Sequence, residues 1–126
     1  MFEGARLVAV IPVHDLGKAQ TFYEKMLGLK PLKGARPGGE LLYSIGETEL
    51  MVYVTKAELG GATKVTVIVP DLEKEMGNLR NHGITFEDFD VGDFKTTNGM
   101  VEDEYGKSAW FKDLEGNWIA LAELKS

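Results

Sequence analysis

The sequence predicts an α+β domain made of two tandem βαβββ units whose curved mixed sheets surround a cleft. Three observations carry this reading. A short valine-rich run opens each half, at residues 8–13 and 65–69. An aspartate and an apolar stripe at helical spacing follow each run. Each half then closes on two strand-like runs joined by a turn. The 126 residues fit one domain, 1–126, with unit one over about 6–55 and unit two over about 63–125.

Residues 7–13 are nearly all apolar and short, which predicts a strand buried on both faces. Pro12 lacks a backbone donor and belongs near an edge or the strand end. Asp15 is placed to cap a helix, because its carboxylate can accept from the first-turn N–H groups. Leu16, Ala19, Tyr23, Met26 and Leu27 form its apolar face, and Gly28 ends it by taking the left-handed conformation. A short strand over 29–32, a loop over 34–39, and strands over 41–45 and 50–54 around Gly46-Glu47 complete the first unit. Residues 56–62 read as the linker.

The second half repeats the order. A strand over 65–69 leads to Pro70-Asp71 and a helix with Leu72, Met76 and Leu79 on one face, closed at 81–83. A strand is expected over 84–87, and two more over 108–112 and 118–124. Residues 113–117 turn between the last two, with Asp, Gly and Asn suited to tight bends. VAVIPVHDL in unit one lies on VTVIVPDL in unit two, so Asp15-Leu16 falls on Asp71-Leu72 and Gly28 near Gly83. In each unit one sheet face serves the helix. The other is left for a partner unit or a ligand.

Composition narrows the function. Hydrophobic residues make up 44% and charged residues 27%, which is globular composition. With no cysteine there is no disulfide framework, thiolate metal site or cysteine nucleophile. The net charge of −6 disfavours nucleic-acid partners. No apolar run reaches the roughly 18 residues of a membrane helix, so no membrane partner is expected. The first residues lack the order of a signal peptide, and the expected location is the cytoplasm. No nucleophile triad, phosphate loop or dinucleotide fingerprint occurs.

Two segments carry a family resemblance. HDLGKAQTFYEKMLGLKPL (14–32) is similar to D-L-x-x-(A/S)-x-x-F-Y-x-x-x-L-G-(L/F), and SAWFKDLEGNWIALAE (108–123) to F-x-D-P-D-G-N-x-(I/L)-E-L. These are motifs of the vicinal oxygen chelate superfamily, which includes glyoxalase I, bleomycin-resistance proteins and extradiol dioxygenases. The resemblance spans essentially the whole chain. It implies a homodimer. In metal-dependent members each unit gives one ligand, often His, from its first strand and one, often Glu, from its last. Carried over, those positions fall on Val8, Val65 and Ala120. The unit-one last-strand position falls near Leu50 to Val52, beside Glu49. A divalent ion needs converging carboxylates or imidazoles. The two histidines, His14 and His82, lie outside the expected strands. The expectation is therefore no metal and no cofactor, with a divalent ion as the alternative.

The candidate ligand-binding residues are Tyr43, Met51, Tyr53, Phe94, Lys95, Trp110 and Trp118. Aromatic and methionine side chains offer large, adaptable apolar surface to a small molecule. Ordinary core packing is the bland reading for each. Trp118 is the stronger of the two tryptophans, since it is two residues from Ala120 and shares its strand face. Residues 89–107 form the longest irregular stretch and are expected to fold over the pocket mouth. Glu102, Asp103 and Glu104 read mainly as a solvated acidic run, although close carboxylates can do acid–base work. His14 is a candidate base or a capping residue. Two functions follow. One is a metal-free protein that binds and sequesters a small organic ligand, as bleomycin-resistance proteins do. The other is an enzyme, a glyoxalase-like lyase or isomerase or a dioxygenase type, either metal-independent with a carboxylate or His14 as base, or metal-dependent if the ligands fall in a different register.

Overall fold

Valine, isoleucine and alanine at alternate positions of residues 9–13 give β1 (Ala9–Val13) one face that is fully buried at Ile11 and Val13. The computed structural model describes residues 1, 3–4, 8–32, 40–56, 58–59, 61–92, 94–104 and 106–125. Leu7, the expected loop 34–39, and Ala57 and Gly60 of the expected linker lie outside the described residues. The Asp15 carboxylate accepts from Lys18 N–H and opens helix α1 (Leu16–Thr21). The helix then widens into a π-helical turn, Phe22–Met26, closed by the Leu27 N–H on the Phe22 carbonyl. The extra residue per turn lets the adjacent Phe22 and Tyr23 both enter the core. Gly28, at φ 70°, stops it.

Next come β2 (Lys30–Pro31), β3 (Glu40–Ile45) and β4 (Thr48–Val54). They form a mixed sheet in the order β1-β4-β3-β2, with β1 parallel to β4. Gly46, at φ 58°, takes the first position of the two-residue β3–β4 turn, where hairpins favour glycine. The second sheet has the same plan. It runs β5 (Thr63–Ile68), β10 (Trp118–Leu124), β9 (Gly106–Lys112) and β8 (Met100–Glu102), with β5 parallel to β10. Between its strands lie α2 (Leu72–Asn81), capped by Asp71, and a ribbon of β6 (Asp90–Val91) and β7 (Phe94–Lys95). Among the described residues no helix is long and apolar enough to cross a membrane.

One expected strand is displaced. Residues 84–87 form no strand and touch sheet two through one backbone bond, Glu87 N–H to the Trp110 carbonyl (2.8 Å), and the outer strand of sheet two is β8, from within the stretch expected to be irregular. The cause is packing. Ile84 and Phe86 are buried in the core, with the Arg80 guanidinium 5.2 Å from the Phe86 ring centre. Their alternation therefore records core contact, not a ladder.

Each sheet has a helix-facing side and an open side. Ile11, Val13, Tyr43, Leu50 and Val52 face α1, and Phe111, Ile119 and Leu121 are buried on the α2 side. These residues form one continuous core across both units. The join is made by the β9–β10 turn. Asp113 is almost fully buried and accepts from Glu115 N–H (2.9 Å), Asn117 N–H (2.9 Å), the Asn117 amide (2.8 Å) and the Tyr23 hydroxyl (2.9 Å). The Asn117 amide also donates to the Pro12 carbonyl (2.7 Å). Glu115 accepts from the backbone N–H of His14 and of Asp15, at the entry to α1. Unit two thus grips both the end of β1 and the start of α1.

Burial, then the Asp113 charge and hydrogen bond, pushes the Tyr23 hydroxyl well above the usual tyrosine pKa. Burial and the bond to Glu24 (3.0 Å) raise Tyr43 as well. Both shifts favour the protonated phenol in the folded state. Their contribution is full below the ordinary value of about 10 and is lost as pH rises beyond it. Urea unfolding should therefore show stability falling above about pH 10, with a shallower fall in Tyr23→Phe. At neutral pH the same substitution should cost about 1.5–3 kcal/mol, the range for a hydrogen bond to a charged group.

Candidate functional site

Alternation along sheet two sends Trp118, Ala120 and Ala122 of β10 to the open side, together with Lys112, Trp110 and Ser108 of β9. Ala120 and Ala122 are small and lie between these larger side chains, where both are buried. Phe89 and Phe94 approach from the 88–97 segment. The Phe89 ring centre lies 5.7 Å from Trp110, 5.5 Å from Trp118 and 5.8 Å from Phe94, and Phe94 lies 5.4 Å from Trp110. Their planes are tilted or edge-on, which suits the ring quadrupoles. The Lys112 ammonium sits 4.6 Å from the Trp118 ring centre. Phe94 is 39% exposed, so this apolar cluster is partly open to solvent.

Asp88 holds the covering segment in place. One of its carboxylate oxygens accepts from the Thr96 hydroxyl and from Gly99 N–H, both at 2.7 Å. Thr96 is buried and its hydroxyl oxygen also accepts from Phe89 N–H (2.7 Å). Arg80 donates to the Asn98 carbonyl (2.7 Å). Asn98 and Gly99 both have positive φ, 54° and 79°, and a Cβ at Gly99 would lie 2.7 Å from the Phe86 Cβ, so that turn requires glycine.

No family model matches the sequence, and no curated relative does. Solved structures do. The chain is similar to a member of the glyoxalase/bleomycin resistance protein/dioxygenase superfamily from Sphaerobacter thermophilus, at 21% identity and TM-score 0.69, covering 92% of this chain and 94% of that one. The chain has the glyoxalase/bleomycin-resistance fold. Lactoylglutathione lyase from Agrobacterium tumefaciens shares it at 16% identity and TM-score 0.69, covering 94% of this chain and 92% of that one. So does TnmS3, an antibiotic binding protein from a Streptomyces species, at 22% identity and TM-score 0.68, covering 95% and 97%. At these identities the likeness is one of fold.

Within the glyoxalase fold the expected site residues separate into groups. Trp110, Trp118 and Phe94 come together, joined by Phe89. Met51 and Tyr53 lie half-buried on the open side of sheet one. Tyr43 does not join them. It is fully buried on the helix side, with its ring centre 6.1 Å from that of Tyr23. The two-residue turn pairs Tyr43 with Leu50, so odd positions on β3 share a face with even positions on β4. Lys95 points away from the aromatic cluster, to a groove beside Arg80 and Glu73.

The metal positions need one correction. Ala120 is on the open side, as is Val8 by alternation with Ala9. Val65 faces the core opposite Ile119. The position that matches Val8, seven residues before the capping aspartate, is Lys64. The open sides of β1, β4, β5 and β10 thus carry Val8 and Val10, Glu49, Met51 and Tyr53, Thr66 and Ile68, and Trp118, Ala120 and Ala122, and Lys64 lies at a register shift between β5 and β10. That donor set contains a single carboxylate and no imidazole, which does not fit a divalent ion. Among the described residues no three His, Asp or Glu side chains are grouped to hold a metal. His14 is exposed at the α1 entry, 3.8 Å from Glu115. Glu102 to Glu104 are exposed at the end of β8.

The Thr96 hydroxyl, then Gly99 N–H, holds the Asp88 carboxyl below the usual aspartate range, against an opposing burial effect and with a lesser contribution from the Arg80 charge. A lowered folded-state pKa contributes stability above the ordinary value of about 3.9, and that contribution fades as pH falls through the lowered value. Acidification below about pH 4 should therefore loosen the 88–100 segment and shift tryptophan emission to the red. Asp88→Asn should show shifted emission at neutral pH and a smaller acid step.

Proposed function

We propose that this chain binds a small, flat organic ligand on the open side of sheet two, without a metal, and sequesters it. The carrying observation is the cluster of Phe89, Phe94, Trp110 and Trp118 beside Ala120 and Ala122. Rings of this size stack on a planar ligand, and the exposed Phe94 leaves the cluster accessible to one. Val8 and Ala120 at positions where metal-dependent members carry ligands, with Lys64 at the matching count in unit two and Glu49 the one carboxylate near the fourth, favour binding over metal-assisted chemistry. The similarity in fold to an antibiotic binding protein is consistent with the reading.

The same reading includes a homodimer. Val10, Ile68 and Leu124 are 44%, 57% and 61% exposed and all sit on open sides. A second copy that laid the open side of its sheet one, with Met51 and Tyr53, over the aromatic cluster would cover these apolar groups and enclose the ligand.

Titration with a planar anthraquinone, followed by tryptophan fluorescence, should show saturable quenching. Trp110→Ala should weaken the affinity at least about tenfold, the equivalent of one lost stacking contact of about 1.4 kcal/mol. Zinc, nickel and manganese should leave the thermal midpoint unchanged. A stoichiometric metal with a marked rise in midpoint would favour the glyoxalase-like enzyme instead.

A further inference from the structure

A second hollow lies on the opposite side of the sheets from the aromatic cluster. It has a volume of about 780 Å³, within the roughly 300–1,000 Å³ of small-molecule sites. It runs along the seam between the units, walled by Ile11 and Leu27 of unit one and by Val65, Val67 and Leu79 of unit two. Residues 65 to 69 line it without a break, because β5 is the edge strand of its sheet. Its walls are apolar for most of their area, with aliphatic side chains in the majority beside Tyr23 and Phe111. The charged residues among its described lining are Glu47, Glu49 and Glu75, and none is cationic. Neither tryptophan reaches it.

We infer that this hollow is a second binding site, for an amphiphile with an aliphatic body and a cationic head. Branched aliphatic walls take an alkyl chain or alicyclic body by burying it from water. Glu49 turns its carboxylate to the open side, which leaves Glu47 and Glu75, with no lysine, arginine or histidine among the described lining, to give a field that attracts an ammonium and repels a carboxylate. The inference is independent of the aromatic site. Sheet two separates Val67, on its helix side, from Trp110, on its open side.

The test is calorimetry with decylammonium, below its micelle concentration, against decanoate. The expected result is one decylammonium per chain, bound at least tenfold more tightly than decanoate. Val67→Phe, which fills the hollow, should abolish decylammonium binding and leave anthraquinone quenching of the tryptophans intact. Trp110→Ala should do the reverse. The combined change Glu47→Gln and Glu75→Gln should erase most of the preference for the cation. Should circular dichroism show Val67→Phe unfolded, this double variant decides alone. Preference lost supports the site, and preference retained overturns it. Absence of decylammonium binding, equal affinity for decanoate, or loss of decylammonium binding in Trp110→Ala would each overturn the inference.

Discussion

The Asp113 carboxylate gathers the Tyr23 hydroxyl of unit one together with the backbone and amide donors of its own turn. Asn117, fully buried, passes the connection on to the Pro12 carbonyl at the end of β1. The outer end of the turn, Glu115, accepts the two N–H groups that precede α1. Three residues of unit two, Asp113, Glu115 and Asn117, thus satisfy three donors and one acceptor of unit one that would otherwise be buried or frayed. A buried carboxylate is costly unless its lone pairs are occupied. Here both oxygens are bonded, and one partner comes from the other half of the chain. The Asn117 side-chain Oδ1 has no hydrogen-bond partner among the described residues, a cost set against the two bonds of its amide nitrogen.

The rest of the architecture depends on that join. It brings the edge strands β1 and β5 side by side and merges the two helix-side cores into one. The consequence is a molecule with two distinct surfaces of opportunity. The open sides carry exposed apolar groups and the aromatic cluster. The helix side keeps an aliphatic hollow along the seam. Neither the cluster nor the hollow belongs to one strand. Each exists because sheet curvature, the 88–100 segment and the seam hold side chains from distant parts of the chain together.

Much of the fold was legible in the sequence because its signals are local. Asp15 and Asp71 cap the helices they were expected to cap, Gly28 ends the first helix, and the Asp, Gly and Asn of residues 113–117 form the turn. The errors arose where local pattern is blind to pairing. Tyr43 changed face because parity inverts across a two-residue turn. Val65 was one position from the open side, and only the pairing with Ile119 reveals it. The π-helical turn left no recognisable mark beyond two adjacent aromatics. Residues 84–87 alternate like a strand, yet Ile84 and Phe86 spend that alternation on the core. Of the candidate site, Phe94, Trp110 and Trp118 were named from sequence and meet in space. Phe89, which joins them, opens an irregular stretch, and nothing in its local sequence separates it from a loop residue. Asp88, which anchors that stretch, gave no signal, since one aspartate before a phenylalanine resembles any other.

Native-state hydrogen exchange of the backbone amides of Asp113 and Asn117 tests the join most directly. Asp113 N–H bonds to the Asn117 carbonyl, and Asn117 N–H to the Asp113 carboxylate. If the turn locks the two units, both amides exchange only through global unfolding, with the same opening free energy as the central amides of β4 and β10. Exchange of the turn by a local opening of low free energy, with both sheets still protected, would contradict the account. So would exchange of unit one as an opening separate from unit two.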